Sequence, residues 1–502
     1  EACLEVARSG YIEGMQDLGA AGLTSSVMES AVKGGMGVCL DVAKVPRRES
    51  DMTPYEVMLS ESQERMLLIV KQGFEEKVAE LFEKWDLSAV SIGEVVDGGT
   101  ARIYDGGILS AEVDLKILTE APQYVFDEVR PKYLVGLPPL HSSAAVLPKE
   151  LAEETLLKLL AAPNIASKRI VYRQYDHEVQ TNTIIKPGNA DAAVLRLRGS
   201  SKGIAISVDG DGRKVYLDPY VGGAQAVAEA CRNVVCTGAK PLAITDCLNF
   251  GDPEKPDVYY QLAECIRGMS QACITLGVPV ISGNVSLYNE SLGGSILPTP
   301  VVGALGVLPN SGECIQAGFC QEGDVVILLG TSILDAEPYD LAGSEYLSFI
   351  HGMVAGQPQI DLQLERKLQK GLLDLINKGL IQSAHDCSAG GLAVTIAESC
   401  ILGNIGFRYG GHRAILDGAS NNKLGLGHRW DALLFGEVSS RIVVSVSPEN
   451  LTELENILDG NVAHFKLGTV GGKYFDMAPL LNVPLSDLID TYENGLARAA
   501  AQ

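Results

Sequence analysis

Ile281-Ser282-Gly283-Asn284-Val285-Ser286-Leu287-Tyr288-Asn289-Glu290 is the stretch that organises the reading of this chain. It follows Leu276-Gly277-Val278-Pro279-Val280, which reads as a short buried strand entered through a proline turn. After it, Asn284, Ser286, Asn289 and Glu290 crowd oxygen-bearing side chains onto what reads as a tight loop. Gly283 permits close approach of the backbone to a ligand. Amide and carboxylate oxygens suit a hard cation such as Mg²⁺, which often arrives with nucleotide phosphates. A polar turn at a strand end accounts for Gly-Asn alone; ten residues of this composition ask for more.

The chain has 502 residues, too many for one core, so three or four domains are expected. No apolar run reaches the roughly 18 residues of a membrane span. Glu1-Ala2-Cys3-Leu4-Glu5 has neither an initiator Met nor the basic segment of a signal peptide, so the natural N-terminus is expected upstream. A net charge of −23 argues against nucleic acid and anionic membranes as partners. The 11 cysteines include no Cys-x-x-Cys, which fits free, mostly buried thiols in a reducing, cytoplasmic compartment.

Taken in order, the chain reads as helix Ala2 to Ser9, strand Ile12 to Gln16, the turn Asp17 to Leu23, helix Thr24 to Val32 capped by a hydroxyl, and strand Val38 to Val42. The pattern returns downstream. A shift of 369 overlays Asp17 on Asp386, Gly22 on Gly391 and Glu29 on Glu398. With a slightly larger shift, Glu61-Ser62-Gln63-Glu64-Arg65-Met66 overlays Glu437-Val438-Ser439-Ser440-Arg441-Ile442, and Ile92 to Val95 overlays Leu467 to Val470. Three ordered blocks indicate a duplicated domain of about 150 residues. The second copy has a lead-in, strand Gly323 to Gly330 and helix Asp361 to Ile376, whereas the first starts abruptly in that helix. The chain is therefore expected to be cut inside its first repeated domain.

Between the copies, Thr119 to Pro148 reads as a linker and Pro148 to Leu160 as a short helix. Strands are expected at Ala192 to Leu197, Gly203 to Val208, Pro241 to Thr245 and Ile296 to Leu308, and helices at Ala224 to Thr237, opened by Gly222-Gly223, and Asp257 to Leu276. Asp209-Gly210-Asp211-Gly212 reads as a hairpin turn; a calcium loop would need Glu where Tyr220 stands. Walker-type phosphate loops, dinucleotide fingerprints and nucleophile elbows are absent. His385, beside Asp386, reads as structural. What remains is a set of acids and amides at strand ends, suited to Mg²⁺, and glycine amides and helix N-termini suited to phosphate.

Arg232 to Pro241, Asp246 to Pro253, Ser282 to Glu290 and Leu297 to Pro300 resemble the second ATP-domain of phosphoribosylformylglycinamidine synthase, in its small, glutaminase-free form. Gln16 to Leu23, Met52 to Glu56 and Glu61 to Met66 resemble its first C-domain. The resemblance covers nearly the whole chain. It implies an α+β fold of duplicated ATP-domain plus C-domain units, the aminoimidazole ribonucleotide synthetase-like architecture, with the first ATP-domain absent from this chain. The implied domains are 1–118 (first C-domain), 119–185 (linker and lead-in helix), 186–310 (second ATP-domain) and 311–502 (second C-domain).

The resemblance also implies an ATP-dependent ligase of purine biosynthesis, making formylglycinamidine ribonucleotide from formylglycinamide ribonucleotide and ammonia. Its cofactors are ATP and Mg²⁺; its partners are a separate glutaminase subunit and a small bridging subunit. By motif match, Asp17 and Asn284 would bind Mg²⁺, Asp246 and Gly283 ATP, and Glu61, Ser62, Gln63 and Ser286 the ribonucleotide, all in one cleft. The family's catalytic histidines lie in the first ATP-domain, so no catalytic residue is expected in this chain, and the chain alone is not expected to make product. Rival readings are a one-copy superfamily member, such as aminoimidazole ribonucleotide synthetase or selenophosphate synthetase, and a non-catalytic nucleotide-binding scaffold. The duplication argues against the first, and ATP turnover would discriminate the second.

Overall fold

The structure is a computed structural model and describes residues 1–62, 64–120, 124–137, 140, 151–332, 337–411 and 429–501. Two compact units divide the chain, Glu1–Val125 and Phe126–Gln502.

In the first unit, the strand Ile12–Asp17 pairs antiparallel with Met66–Val70. A separate four-stranded sheet runs Gly93–Val96, Gly37–Asp41, Thr100–Asp105, Ile108–Asp114. The helix Gly22–Gly34 contributes Leu23, Val27 and Met28 to the core beside Val38, Leu40 and Ile103. Its expected hydroxyl cap is not there. Ala21 occupies the N-cap position with φ +60°, and Ser25 and Ser26 donate to the Gly22 carbonyl instead. Hydroxyls one turn inside a helix commonly bond backward in this way.

In the second unit, residues 183–308 form a six-stranded sheet. Its spatial order is Val280–Ser286, Lys240–Asn249, Thr299–Leu308, Gly203–Asp209, Ala193–Arg196, Thr183–Ile185. The helices Pro219–Cys236 and Pro256–Leu276 supply Val227, Val234 and Met269 to a core shared with Ile244, Leu248 and Val302 from one face of the sheet. Strict alternation of buried and half-buried residues along Thr299–Leu308 marks the other face as open.

Two sequence expectations fail here. Gly212 opens a short helix, Gly212–Leu217, capped by Asp211, where a hairpin was expected. Gly222 and Gly223 lie inside the long helix, which starts at Pro219 under an Asp218 cap. A Cβ on Gly222 would stand 2.4 Å from the Val215 nitrogen, and one on Gly223 would stand 2.5 Å from the Cys265 carbonyl oxygen. The glycine pair therefore serves helix packing rather than helix initiation.

The rest of the second unit is a seven-stranded sheet: Ile381–Asp386, Arg441–Val446, Val325–Gly330, His464–Val470, Phe407–Tyr409, Tyr474–Met477, Leu481–Pro484. The helices Ala152–Leu160, Gly391–Gly403 and Leu485–Ala500 share its core. The first unit repeats this order. Its two-stranded sheet matches the first two strands, and its four-stranded sheet matches the last four. The central strand Val325–Gly330, which joins the two halves, has no counterpart among the described residues of the first unit.

Candidate functional site

The duplication extends to single hydrogen bonds. Ile12–Asp17 and Ile381–Asp386 lie 369 positions apart, as do the helices Gly22–Gly34 and Gly391–Gly403. Asp17 stands opposite Met66, and Asp386 opposite Ile442. The Glu61 Oε1 accepts from the Ala21 amide at 2.9 Å, and the Glu437 Oε1 accepts from the Gly390 amide at 2.8 Å. The Arg65 Nη2 donates to the Ser60 carbonyl, and the Arg441 Nη2 donates to the Gly436 carbonyl at 2.7 Å. Glu64 and Ser440 share a left-handed backbone, φ +63° and +62°. Each copy is thus a cradle: an Asp at a strand end, a glycine turn, a helix N-terminus, and a Glu clamping the turn.

The two cradles differ in what fills them. In the first, Asp17, Glu61 and Ser62 are exposed, and no hydrogen bond or ion pair holds the Asp17 carboxylate among the described residues. Gln63 lies outside the described residues. In the second, Asp386 is 2% exposed and meets the equally buried Arg232, whose Nη1 donates to Glu365 Oε2 at 2.7 Å. Burial pushes the Asp386 carboxyl up, to about 7, against the pull of the Arg232 guanidinium. His385 lies between two carboxylates, Nδ1 2.6 Å from Asp191 Oδ1 and Nε2 3.1 Å from Glu398 Oε2. Burial pulls its imidazole pKa down, but Asp191 and Glu398 outweigh burial and hold it well above the ordinary value. The first copy has a neutral echo of this contact: Gln16 Nε2 donates to Glu29 Oε2 at 3.3 Å. His385 is thus a structural group, its ring fixed on both sides.

The opening stretch is placed differently from its sequence reading. Val280–Ser286 is a strand, the exposed edge of the six-stranded sheet, so Gly283, Asn284 and Ser286 lie on a strand and the loop begins at Leu287. The strand pairs parallel with Lys240–Asn249, putting Asp246 opposite Gly283, Cys247 opposite Asn284 and Asn249 opposite Ser286. Alternation then divides the candidates. Asp246 and Gly283 share the face that the helices cover, where burial raises the Asp246 carboxyl above its usual range. Asn284 and Ser286 share the open face with Cys247 and Asn249. The Asn284 Nδ2 is 3.8 Å from the Cys247 Sγ. That geometry leaves the amide oxygen available to a hard cation. A Cβ at Gly283 would lie 2.2 Å from Asp246 Oδ1, so the glycine makes room for the carboxylate.

Sequence reading missed Asn249, which shares the open face, and the Arg232–Glu365 pair. Asn249 was legible in the alternation of Asp246-Cys247-Leu248-Asn249 once the register is known. Arg232 and Glu365 are 133 positions apart, and no local pattern joins them.

Comparison with known proteins agrees with this architecture. Residues 1–106 and 321–475 each match the C-terminal domain of AIR synthase related proteins, and residues 189–308 match the N-terminal domain. Phosphoribosylformylglycinamidine synthase subunit PurL of Thermomicrobium roseum is 48% identical over 511 residues, covering 100% of this chain and 67% of that protein. The subunit of the same name from Moorella thermoacetica is 50% identical over 452 residues, 89% of this chain and 59% of its own length. Among solved structures, T. maritima PurL complexed with AMPPCP matches with TM-score 0.65 and 27% identity over 94% of this chain and 67% of that one. T. maritima PurL complexed with FGAR matches with TM-score 0.64 and 25% identity, covering 94% of this chain and 64% of that one. The chain spans 59–67% of the length of these relatives. It belongs to the phosphoribosylformylglycinamidine synthase subunit PurL family, assembled from AIR synthase related domains.

Proposed function

We propose that the chain carries part of an ATP-dependent ligase that converts formylglycinamide ribonucleotide and ammonia to formylglycinamidine ribonucleotide, ADP and phosphate. The observation that carries this reading is the unequal filling of the two cradles. The same hydrogen bonds build both, yet only the first presents its Asp and Glu to solvent, beside Ser62 where the second copy has Val438. Asp17 and Asn284 would hold Mg²⁺, as hard oxygen donors at exposed positions, and the ion would neutralise phosphate charge during transfer. Asp246 and Gly283 would receive ATP. Glu61, Ser62, Gln63 and Ser286 would bind the ribonucleotide.

Phosphoryl transfer to the glycinamide carbonyl oxygen, on the carbon bonded to the ribosyl nitrogen, creates the leaving group; attack of ammonia at that carbon, with loss of a proton, expels phosphate and leaves the formyl group intact. In such chemistry the protein mainly positions groups and offsets charge. Ammonia would come from glutamine through a separate glutaminase subunit, with a small bridging subunit between them. The reading is tested by ammonia-dependent ADP release from the complete protein containing these residues. Asp17→Asn is expected to lower turnover by about two orders of magnitude, with the thermal midpoint within about 2 °C of wild type. Normal turnover in that variant would remove Asp17 from the metal site. Nucleotide binding by the wild type without any turnover would favour a scaffold.

A further inference from the structure

We propose that Arg65 is a positioning residue for the substrate-contacting loop at Ser60–Ser62, acting with the Glu61 clamp on Ala21 to fix that loop before substrate arrives. The proposal rests on the reading that Glu61 and Ser62 touch the ribonucleotide.

The second copy shows the same arrangement with its Asp carboxylate buried against Arg232. There Glu437 is 6% exposed and Arg441 is 2% exposed. Arg441 grips the chain twice, through Nη2 to the Gly436 carbonyl at 2.7 Å and through Nε to the Val438 carbonyl at 3.4 Å. These carbonyls flank Glu437, so the guanidinium holds the segment from which the clamping carboxylate projects. In the first copy, Arg65 Nη2 holds the equivalent carbonyl, Ser60. The Arg65 Nε, whose counterpart grips Val438, is buried with no partner among the described residues. A buried donor left unpaired is costly, and its retention calls for a reason.

The glycine turn fits closely against the same segment. A Cβ on Gly22 would stand 2.2 Å from the Ser60 carbonyl oxygen, and one on Gly391 would stand 2.7 Å from that of Gly436. The Leu18 amide donates to the Arg65 carbonyl at 3.2 Å, as Cys387 does to Arg441 at 3.1 Å. Arg65 therefore ties three things together: the strand end that carries Asp17, the helix N-terminus at Gly22, and the loop that carries Glu61 and Ser62. A planar guanidinium with several donors suits such a joint better than a single ammonium does.

The test uses the complete protein with formylglycinamide ribonucleotide, ATP and ammonia, in wild type, Arg65→Met, Arg65→Lys and Arg441→Met. Arg65→Met is expected to raise KM for the ribonucleotide about tenfold or more, with KM for ATP unchanged. Arg65→Lys is expected to recover part of the loss, and it carries the same KM comparison if Arg65→Met does not fold. Arg441→Met, the same joint in the filled copy, is expected to lower the thermal midpoint and leave the ribonucleotide KM alone. Without any ligand, amide hydrogen exchange at Ala21 and Ser60–Ser62 is expected to accelerate in Arg65→Met and not in Arg441→Met. Unchanged exchange, or equal changes in both KM values, would overturn the positioning role. A wild type that exchanges as expected but does not turn over would sink the reaction assignment alone.

Discussion

At the scale of single residues, the site is made by what is left out of it. Gly283 carries no side chain because the Asp246 carboxylate occupies the volume a Cβ would take, 2.2 Å from Oδ1 and 2.9 Å from Cγ. No positive φ is involved, so Gly283→Ala imposes steric displacement of a side chain rather than backbone strain. Asp246 can swing aside, and the fold is expected to lose no more than about 1 kcal/mol. If Asp246 and Gly283 receive ATP as proposed, nucleotide affinity depends on where that carboxylate stands. Gly283→Ala is therefore expected to weaken ATP binding about tenfold or more, measured by titration calorimetry, with a thermal midpoint near wild type. A variant that binds ATP normally would separate Gly283 and Asp246 from the nucleotide site.

At the scale of elements, the joint between the helix Pro219–Cys236 and the strand Ile381–Asp386 is a buried charge network. Arg232 faces Asp386, Glu365 and Glu229, and His385 faces Asp191 and Glu398. Removing one member of such a network leaves an uncompensated charge, which costs more than the intact pair supplies. His385 has its folded pKa raised well above 6.5 by the two carboxylates. Its contribution to stability is then fully present below about pH 6.5, the unfolded value, and is lost as pH rises through the folded value. Urea midpoints are expected to fall as pH rises above 6.5, and His385→Gln to flatten that fall. An equal slope in the variant would locate the pH dependence elsewhere.

The same joint marks the limit of what the sequence makes legible. Strands and helices follow their apolar periods, and the helix Ala2–Ser9 has the ends the sequence indicates. Duplication was legible because the matched blocks keep their order and spacing. What the sequence hides is pairing across distance: Arg232 with Asp386, and Asp246 beside Gly283. Glycine was also ambiguous, because a Gly-Gly pair reads as a helix boundary when its cause is contact with another helix. The opening stretch reads as a loop in sequence because its polar residues suppress the strand signal of Val280–Ser286. They are tolerated there because that strand is an exposed sheet edge.

At the scale of the whole molecule, each unit leaves pairing capacity unused. In the six-stranded sheet of the second unit, Ile204, Ile206, Val208, Val301, Leu305 and Val307 alternate onto the face opposite the helices. Ile206 and Val208 are 40% and 68% exposed. Exposed apolar side chains sharing one sheet face mark an association surface. In the first unit, Met66–Val70 and Gly93–Val96 are both sheet edges, whereas their counterparts Arg441–Val446 and His464–Val470 are joined through Val325–Gly330. Unpaired edges and an open apolar face both favour association with another chain. A net charge of −23 opposes it by repulsion that salt screens. The purified 502-residue chain is therefore expected to scatter light as a dimer or larger species, more so as ionic strength rises. The face is the stronger driver, because burying apolar area is worth about 25 cal/mol per Å², while edge hydrogen bonds mostly exchange water for backbone. Replacing Ile206 and Val208 together with Thr is expected to shift the chain toward monomer without moving its thermal midpoint by more than a few degrees. A wild-type chain that stays monomeric at high salt would show that the open face does not drive association.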